Sequence, residues 1–273
     1  NKKYSNKEKQ PELNEEVSGI VSAAYAINAG KEPDSNFKLE TDNFEFIECK
    51  KEETCDLVLD YYFDKLPKLF NEDFDNIKDE LQILSPQRKG SVGVTRLNAE
   101  IQNRLTRKGE PLYSSVGGNG FELFMRDRVI QTKNNTDLVV MNGEVGNVLS
   151  KNELGLTVIF DGQEKLFNEE DVEDLALAYC LTVHKSQGSE YKGVIIPVTS
   201  ENSFMLSRNL IYTAITRGKS KVCLIGEKDS FVKAIKEGFK EFRYTGLQLE
   251  LEKKALTHEI AFSRLTQIYR QTG

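Results

Sequence analysis

The chain has 273 residues, enough for one large or two smaller domains with a proper core, and carries a net charge of −6 with a pI near 5.3. Its first ten residues, NKKYSNKEKQ, do not resemble a signal peptide, and no apolar run approaches membrane-spanning length, so a cytoplasmic protein with no membrane partner is expected. Four cysteines without CxxC spacing (Cys49, Cys55, Cys180, Cys223) and only two histidines (His184, His258) argue against a metal site or disulfide framework and for reduced thiols.

An acidic balance is unusual for a protein of nucleic acids, but the charge is unevenly spread. Residues 31–80 carry seven Lys against sixteen Asp and Glu. Residues 85–108 carry six Lys and Arg against one Glu, and residues 181–228 carry seven against three. An acidic body with basic segments is compatible with a local phosphate-binding face. For any single run, solvated charge is the other reading.

Residues 1–17 are polar and read as a flexible lead-in. Ser18 predicts the start of a helix through Asn28, with Ile20, Val21, Ala24 and Ile27 on one face and Gly30 as terminator. Residues 44–47 suit a strand, and 54–66 a helix with Leu57, Val58, Tyr61 and Tyr62 inward. A strand at 81–84 leads into SPQRKGSVGVTRLNAEIQNRL, where Pro86 and Gly90 shape a loop carrying Arg88 and Lys89. A helix through Leu97, Ile101 and Leu105 follows.

From about residue 117 the pattern becomes short strands, predicted at 127–132, 138–141, 144–149, 156–160 and 164–167. Asn142-Gly143 and Asp161-Gly162 are hairpin signals, because the tight turn needs positive φ. Five short strands without a helix predict a small barrel.

The most informative stretch is 175–226, LALAYCLTVHKSQGSEYKGVIIPV followed after a polar break by LSRNLIYTAITRGKSKVCLIG. Residues 175–183 read as a buried strand ending in a polar loop around Gly188. A second strand is predicted at 194–198, a helix at 206–216 with Arg217 at its end, a third strand at 222–225, and a last helix at 230–238. Strands alternating with helices predict a parallel sheet with helices on both faces, whose ligands sit at the carboxyl ends of strands. Residues 213–220, TAITRGKS, nearly match a phosphate loop, but a helix precedes the lysine and a strand follows, the reverse of the order that loop requires.

At these residues the chain resembles a known family. LTVHKSQGSEY resembles motif V, and NLIYTAITRGK motif VI, of superfamily-1 DNA helicases, most closely the RecD-like branch, the exodeoxyribonuclease V alpha-subunit family. The resemblance implies a second RecA-like helicase domain at 18–115 plus 176–250, interrupted by an SH3-like β-barrel insertion at 116–175. AFSRLTQIYRQTG, within 251–273, resembles motif IV, which in the family precedes the helix at Ser18. Joining Gly273 to Asn1 restores the family order, so a permuted, engineered or out-of-order chain is expected.

The resemblance also assigns roles. Arg217 of motif VI and Arg270 of motif IV are the expected catalytic arginines at the γ-phosphate of ATP with Mg2+, a task that suits a guanidinium because it stays charged and offers forked donors. Gln187, Gly188 and Glu190 are expected on the nucleotide side; Thr182, His184, Lys185, Arg88 and Lys89 are expected at DNA. Without the family, Arg217 is a cation at a helix carboxyl end and Arg88-Lys89 a solvated pair. The implied function is the carboxyl-terminal part of an ATP-dependent, 5′–3′ DNA helicase of repair and recombination. It would bind single-stranded DNA and partner an amino-terminal RecA-like ATPase domain and nuclease or repair subunits. Lacking a phosphate loop, it should be inactive alone. A stand-alone single-strand-binding module, a helicase of another superfamily-1 branch and an unrelated regulatory α/β protein remain open.

Overall fold

The computed structural model describes residues 18–33, 37–105, 109–115 and 121–236. The lead-in at 1–17, the 251–273 tail with Arg270, and the expected permuted order lie outside the described residues.

Helix α1 (Gly19–Asn28) buries Ile20, Ala23, Ala24, Ala26 and Ile27, while Val21, expected inward, is exposed. Strand β1 (Phe44–Glu48) leads into α2 (Lys51–Asp60). The Glu53 carboxylate accepts the Lys50 N–H at 3.1 Å, which starts this helix earlier than the apolar pattern indicates. It runs on through a wide turn, Tyr61–Lys65, into α3 (Leu66–Leu69), with Pro67, which has no N–H to give, just beyond the wide turn. The short α4 (Phe74–Ile77), β2 (Leu81–Ser85) and α5 (Val94–Leu105) follow.

Next come β3 (Tyr113–Ser114), β4 (Glu122–Leu123), β5 (Arg128–Gln131), β6 (Val145–Asn152), β7 (Gly155–Phe160) and β8 (Gln163–Phe167). A one-turn α6 (Glu169–Val172) leads to β9 (Leu175–Leu177) and β10 (Cys180–Thr182). The chain ends its described course with β11 (Tyr191–Val198), α7 (Arg208–Ile215), β12 (Gly218–Gly226) and α8 (Lys228–Lys236).

The main sheet has the order β1-β12-β11-β2-β10, every neighbouring pair parallel. Both faces are covered. On one, Val194, Ile196, Val222 and Leu224 pack with Ile27 of α1, Ile211 of α7 and Phe231 of α8. On the other, Ile83, Ile195, Cys223 and Ile225 pack with Val58 of α2 and Leu97 of α5. This two-sided burial is why β11 and β12 read as continuous apolar runs instead of alternating ones. The expected parallel sheet with helices on both faces is the one observed.

Between α5 and β10 the chain builds a second sheet, β8-β7-β6-β5-β9, wholly antiparallel. It encloses Val129, Val148, Val158, Phe160 and Phe167. Asp161 (φ 45°) and Gly162 (φ 74°) make the tight β7–β8 hairpin that the sequence signals.

Two expectations are corrected here. Residues 138–141 form no strand: the Asn135 side chain accepts the Leu138 N–H at 2.9 Å, and Asn135 and Val140 close a local turn through their own backbone groups. A side chain that bonds nearby backbone offers an alternative to the ladder, and here it prevails. The apolar run at 175–183 is two strands, not one. β9 closes the antiparallel sheet and β10 forms the edge of the parallel sheet, with Ala178 and Tyr179 crossing between them.

Candidate nucleic-acid and nucleotide interface

Two polar loops leave the carboxyl edge of the parallel sheet side by side, because Thr182 of β10 pairs with Ser85 of β2. In the first, the Ser85 hydroxyl is a tether, at 2.8 Å from the Val92 carbonyl and 3.0 Å from that of Gln87. The amide of Thr95 donates to Arg88 O at 3.0 Å, which seats the loop on the start of α5. Arg88 and Lys89 are left exposed at its crown.

In the second, Thr182 Oγ1 accepts the Lys185 N–H at 3.4 Å and Ser186 Oγ donates to Val183 O at 2.8 Å, folding Val183–Ser186 into a tight turn. The Lys185 ammonium is half-buried, and its pKa is pushed below the ordinary lysine value, first by burial and then by the Arg88 charge. Arg88 and Lys185 thus lie on neighbouring loops at one edge of the sheet, from segments remote in sequence. A polyanion relieves the repulsion between two such cations.

Past this turn the chain crosses the sheet from its carboxyl to its amino edge. Gly188 sits at φ +88° with nothing within 4 Å of a Cβ placed there, so the backbone conformation alone asks for glycine. Glu190 is exposed and pairs with Lys219 at 3.2 Å. Tyr191 opens β11 beside Gly218, and its amide donates to Arg217 O at 2.8 Å. Arg217 answers by donating through Nη1 to Ser189 O at 3.2 Å, while Nε reaches Thr213 O at 3.2 Å and Nη2 reaches Thr216 Oγ1 at 3.3 Å. Among the described residues, three of its five N–H donors are thus used, leaving one on each terminal nitrogen. Residues 213–220 run from the end of α7 into β12, the helix-then-strand order that a phosphate loop does not have.

A cleft of about 650 Å³ lies between residues 142–145 of the insertion and His184, Lys185 and Gln187, and Arg128 also lines it. Gln187, expected on the nucleotide side, shares this cleft with His184 and Lys185, expected at DNA. The division of roles between them is not drawn by the cleft.

Sequence reasoning missed a polar junction where the insertion meets the parallel domain. Tyr179 donates its hydroxyl to Asp127 Oδ1 at 2.8 Å, and Asp127 Oδ2 accepts the Phe124 N–H at 2.8 Å and an N–H of Gln102. Arg128, buried, donates to Leu81 O at 2.8 Å and Lys78 O at 3.3 Å. Asn98 on α5 donates to Cys180 O at 3.0 Å and accepts the Cys180 N–H at 2.8 Å. Burial raises the Asp127 carboxyl above the ordinary range, although three hydrogen bonds pull it back. The one available signal was the charged pair Asp127-Arg128 opening an apolar strand.

Among the described residues, no group of three or more His, Cys, Asp or Glu is arranged to hold a metal ion, and no helix is long and apolar enough to cross a membrane. All four cysteines are unpaired thiols; Cys55, Cys180 and Cys223 are buried.

Residues 177–225, spanning the polar crossing loop, Arg217 and the three strands around them, match the UvrD-like helicase C-terminal domain family. The chain is 37% identical over 151 residues to the ATP-dependent RecD2 DNA helicase of Deinococcus radiodurans, covering 55% of this chain. It is 32% identical over 174 residues to the RecBCD enzyme subunit RecD of Mycolicibacterium smegmatis, covering 63% of this chain. Over these stretches the chain is similar to the RecD-like helicases. The alignments span 21% and 29% of those two relatives, so a RecD-like helicase is a much longer protein than the part matched here. A crystal structure of Pif1 helicase from Bacteroides, with ADP-AlF3 and single-stranded DNA, superposes on 89% of this chain and 55% of its own at 17% identity and a TM-score of 0.52. That likeness identifies the fold, a RecA-like parallel sheet with helices on its faces.

Proposed function

We propose that this chain is the second RecA-like half of an ATP-dependent, 5′–3′ DNA helicase motor, with the antiparallel insertion as its SH3-like module. Single-stranded DNA runs along the carboxyl edge of the sheet, over Arg88, Lys89, Thr182, His184 and Lys185. The observation that carries this reading is that the paired strands β2 and β10 send the loops of Arg88 and Lys185 off one edge, while the same crossing loop is bonded to Arg217 at the other. A strand gripped at one end of that loop is thereby joined to a nucleotide sensed at the other.

The donors of Arg217 fit ATP with Mg2+. One N–H on each terminal nitrogen is left after the internal bonds, a fork that suits two phosphate oxygens. Arg217 would hold the γ-phosphate, Gln187 and Gly188 would border the nucleotide, Glu190 would lie near its ribose, and Arg270 would join as a second arginine. Bound ATP supplies phosphoryl-transfer chemistry, and the partner amino-terminal RecA-like domain contributes the phosphate loop and the magnesium carboxylate. Without that domain the chain does not turn over ATP. Nuclease or repair subunits are the further partners this reading implies.

The test is binding of a labelled single-stranded oligonucleotide across a salt series, with matched duplex as control. Single-strand preference that weakens with salt is expected. Equal binding of duplex, or binding indifferent to salt, contradicts the assignment of the track.

A further inference from the structure

Arg128 carries a charge that the fold does not neutralise. It is 5% exposed, on a strand that sends Val129 into the core of the insertion and Ile130 into that of the parallel domain. Nη1 donates to Leu81 O at 2.8 Å and to Lys78 O at 3.3 Å, both uncharged acceptors. Burial sends the ionisation of the nearby Tyr62 hydroxyl up and the Arg128 charge draws it partly back, so this neighbour too is neutral. The adjoining Asp127 does not serve the guanidinium, because its carboxylate takes the Tyr179 hydroxyl, the Phe124 N–H and an N–H of Gln102. Among the described residues, no carboxylate forms an ion pair with Arg128. A buried cation in that state is costly until an anion joins it.

This charge faces the cleft between the insertion and the parallel domain, which Arg128 lines together with Lys185, Ser189 and Tyr191. Burial raises the ionisation of the Tyr191 phenol, and the Arg128 charge is the first of the influences that draw it back, which puts the guanidinium close to that side chain. Arg128 from the insertion and Lys185 from the parallel domain thus border one space of about 650 Å³. Glu144, exposed, is the one carboxylate that lines it among the described residues.

We propose that Arg128 seats a backbone phosphate of a single nucleic-acid strand inside this cleft, so that the strand passes between the insertion and the parallel domain. Lys185 takes an adjoining phosphate and joins the cleft to the edge that carries Arg88. The two carbonyls fix the guanidinium in advance, so little freedom is lost when the phosphate arrives. A space of this size is in the range of small-ligand pockets, which admits a short unpaired stretch and not a duplex. Phosphate contacts position a strand without reading its bases, so no sequence preference accompanies the seat. The inference rests on the reading of this edge as a nucleic-acid track, and adds to it a contact from the insertion.

The experiment measures binding of a labelled oligothymidine by the whole chain and by Arg128→Met, Arg128→Lys, Glu144→Lys and Arg88→Ala, over a salt series from low ionic strength, with a fluorescent ATP analogue as a second ligand. Arg128→Met should weaken oligothymidine binding by roughly tenfold and lower the slope of log affinity against log salt by about 0.7. Arg128→Lys, which keeps the charge, should restore the slope. Glu144→Lys alters an exposed residue and leaves the buried guanidinium in place; it should tighten binding and steepen the slope. That variant decides the matter if Arg128→Met does not fold. If Arg128→Met weakens binding at an unchanged slope, or Glu144→Lys binds as the parent does, the seat is refuted, and the track stands if Arg88→Ala still lowers the slope. A loss in Arg128→Met confined to the ATP analogue also refutes it. If the parent binds no oligothymidine even at low salt, the track and the seat fall together.

Discussion

Tyr179 donates its hydroxyl to Asp127 across 2.8 Å, and that bond joins the crossing between the two sheets to the turn that precedes β5. The phenol's own ionisation is pushed far up by burial and by the Asp127 charge, so it stays a donor. Removing it leaves a buried carboxylate oxygen without this partner. Tyr179→Phe should cost about 1–3 kcal/mol, read as a lower urea midpoint at unchanged slope. A variant as stable as the parent would show that the junction contributes no net stability.

Asp127 gives the junction a pH signature. Its folded pKa lies above the unfolded value, so the folded state takes up a proton first and the burial penalty is relieved as pH falls. The stability contribution of this group is therefore highest below the ordinary carboxylate range and is lost as pH rises through the raised folded value. The stability difference between the parent and Asp127→Asn should shift in favour of the parent as pH falls through that window. Parallel urea titrations measure it, and a pH-independent difference would contradict the assignment.

Lys185 should respond in the opposite pH range. Its pKa in the free chain is lowered by burial and by Arg88, and a bound phosphate raises it. Binding then takes up a proton at alkaline pH, so affinity is greatest below the free-chain pKa and falls as pH rises through it. Affinity for oligothymidine should begin to fall at a lower pH than an ordinary lysine would produce, and Lys185→Met should abolish that early fall. Fluorescence anisotropy across alkaline pH reads both.

The proposed track makes Arg88 and Lys89 separate phosphate contacts. Each replacement by Ala should reduce the slope of log affinity against log salt by about 0.7, the single-strand value per neutralised phosphate. A loss of affinity at constant slope would instead point to loop damage.

Gly188 should be sensitive although space around it is open. At φ +88° a side chain costs about 1–2 kcal/mol, so Gly188→Ala should lower the thermal midpoint by a few degrees or displace the crossing loop. Thermal unfolding, with oligothymidine binding on the folded fraction, distinguishes the two.

The parallel sheet was legible because strands buried on both faces leave continuous apolar runs, as at Val194-Ile195-Ile196 and Val222-Cys223-Leu224-Ile225. The β7–β8 hairpin was legible because Asp161-Gly162 has one favourable backbone solution. The division of 175–183 between two sheets was not, since an apolar residue looks the same whichever sheet it enters. What separates β9 from β10 is long-range: Ala178 N–H bonds Arg128 O and Tyr179 O accepts from Ile83, partners far away in sequence. The false strand at 138–141 arose because apolar content was weighed and the Asn135 side chain was not. At the site, motif strings located the crossing loop and Arg217. They said nothing of Arg88 and Lys185 sharing one edge, or of Glu201 accepting from Ser91, because each depends on loops brought together by β2, β10 and β11.

The most direct test of the central claim is steady-state ATP hydrolysis by this chain alone and joined to a phosphate-loop RecA-like domain, with and without single-stranded DNA, in parent and Arg217→Lys forms. The account predicts no turnover by the chain alone and DNA-stimulated turnover once the two halves are joined. It also predicts a fall of about a thousandfold or more in Arg217→Lys, which keeps the charge but loses the fork. Turnover by the chain alone, or joined-protein turnover indifferent to Arg217, would contradict it.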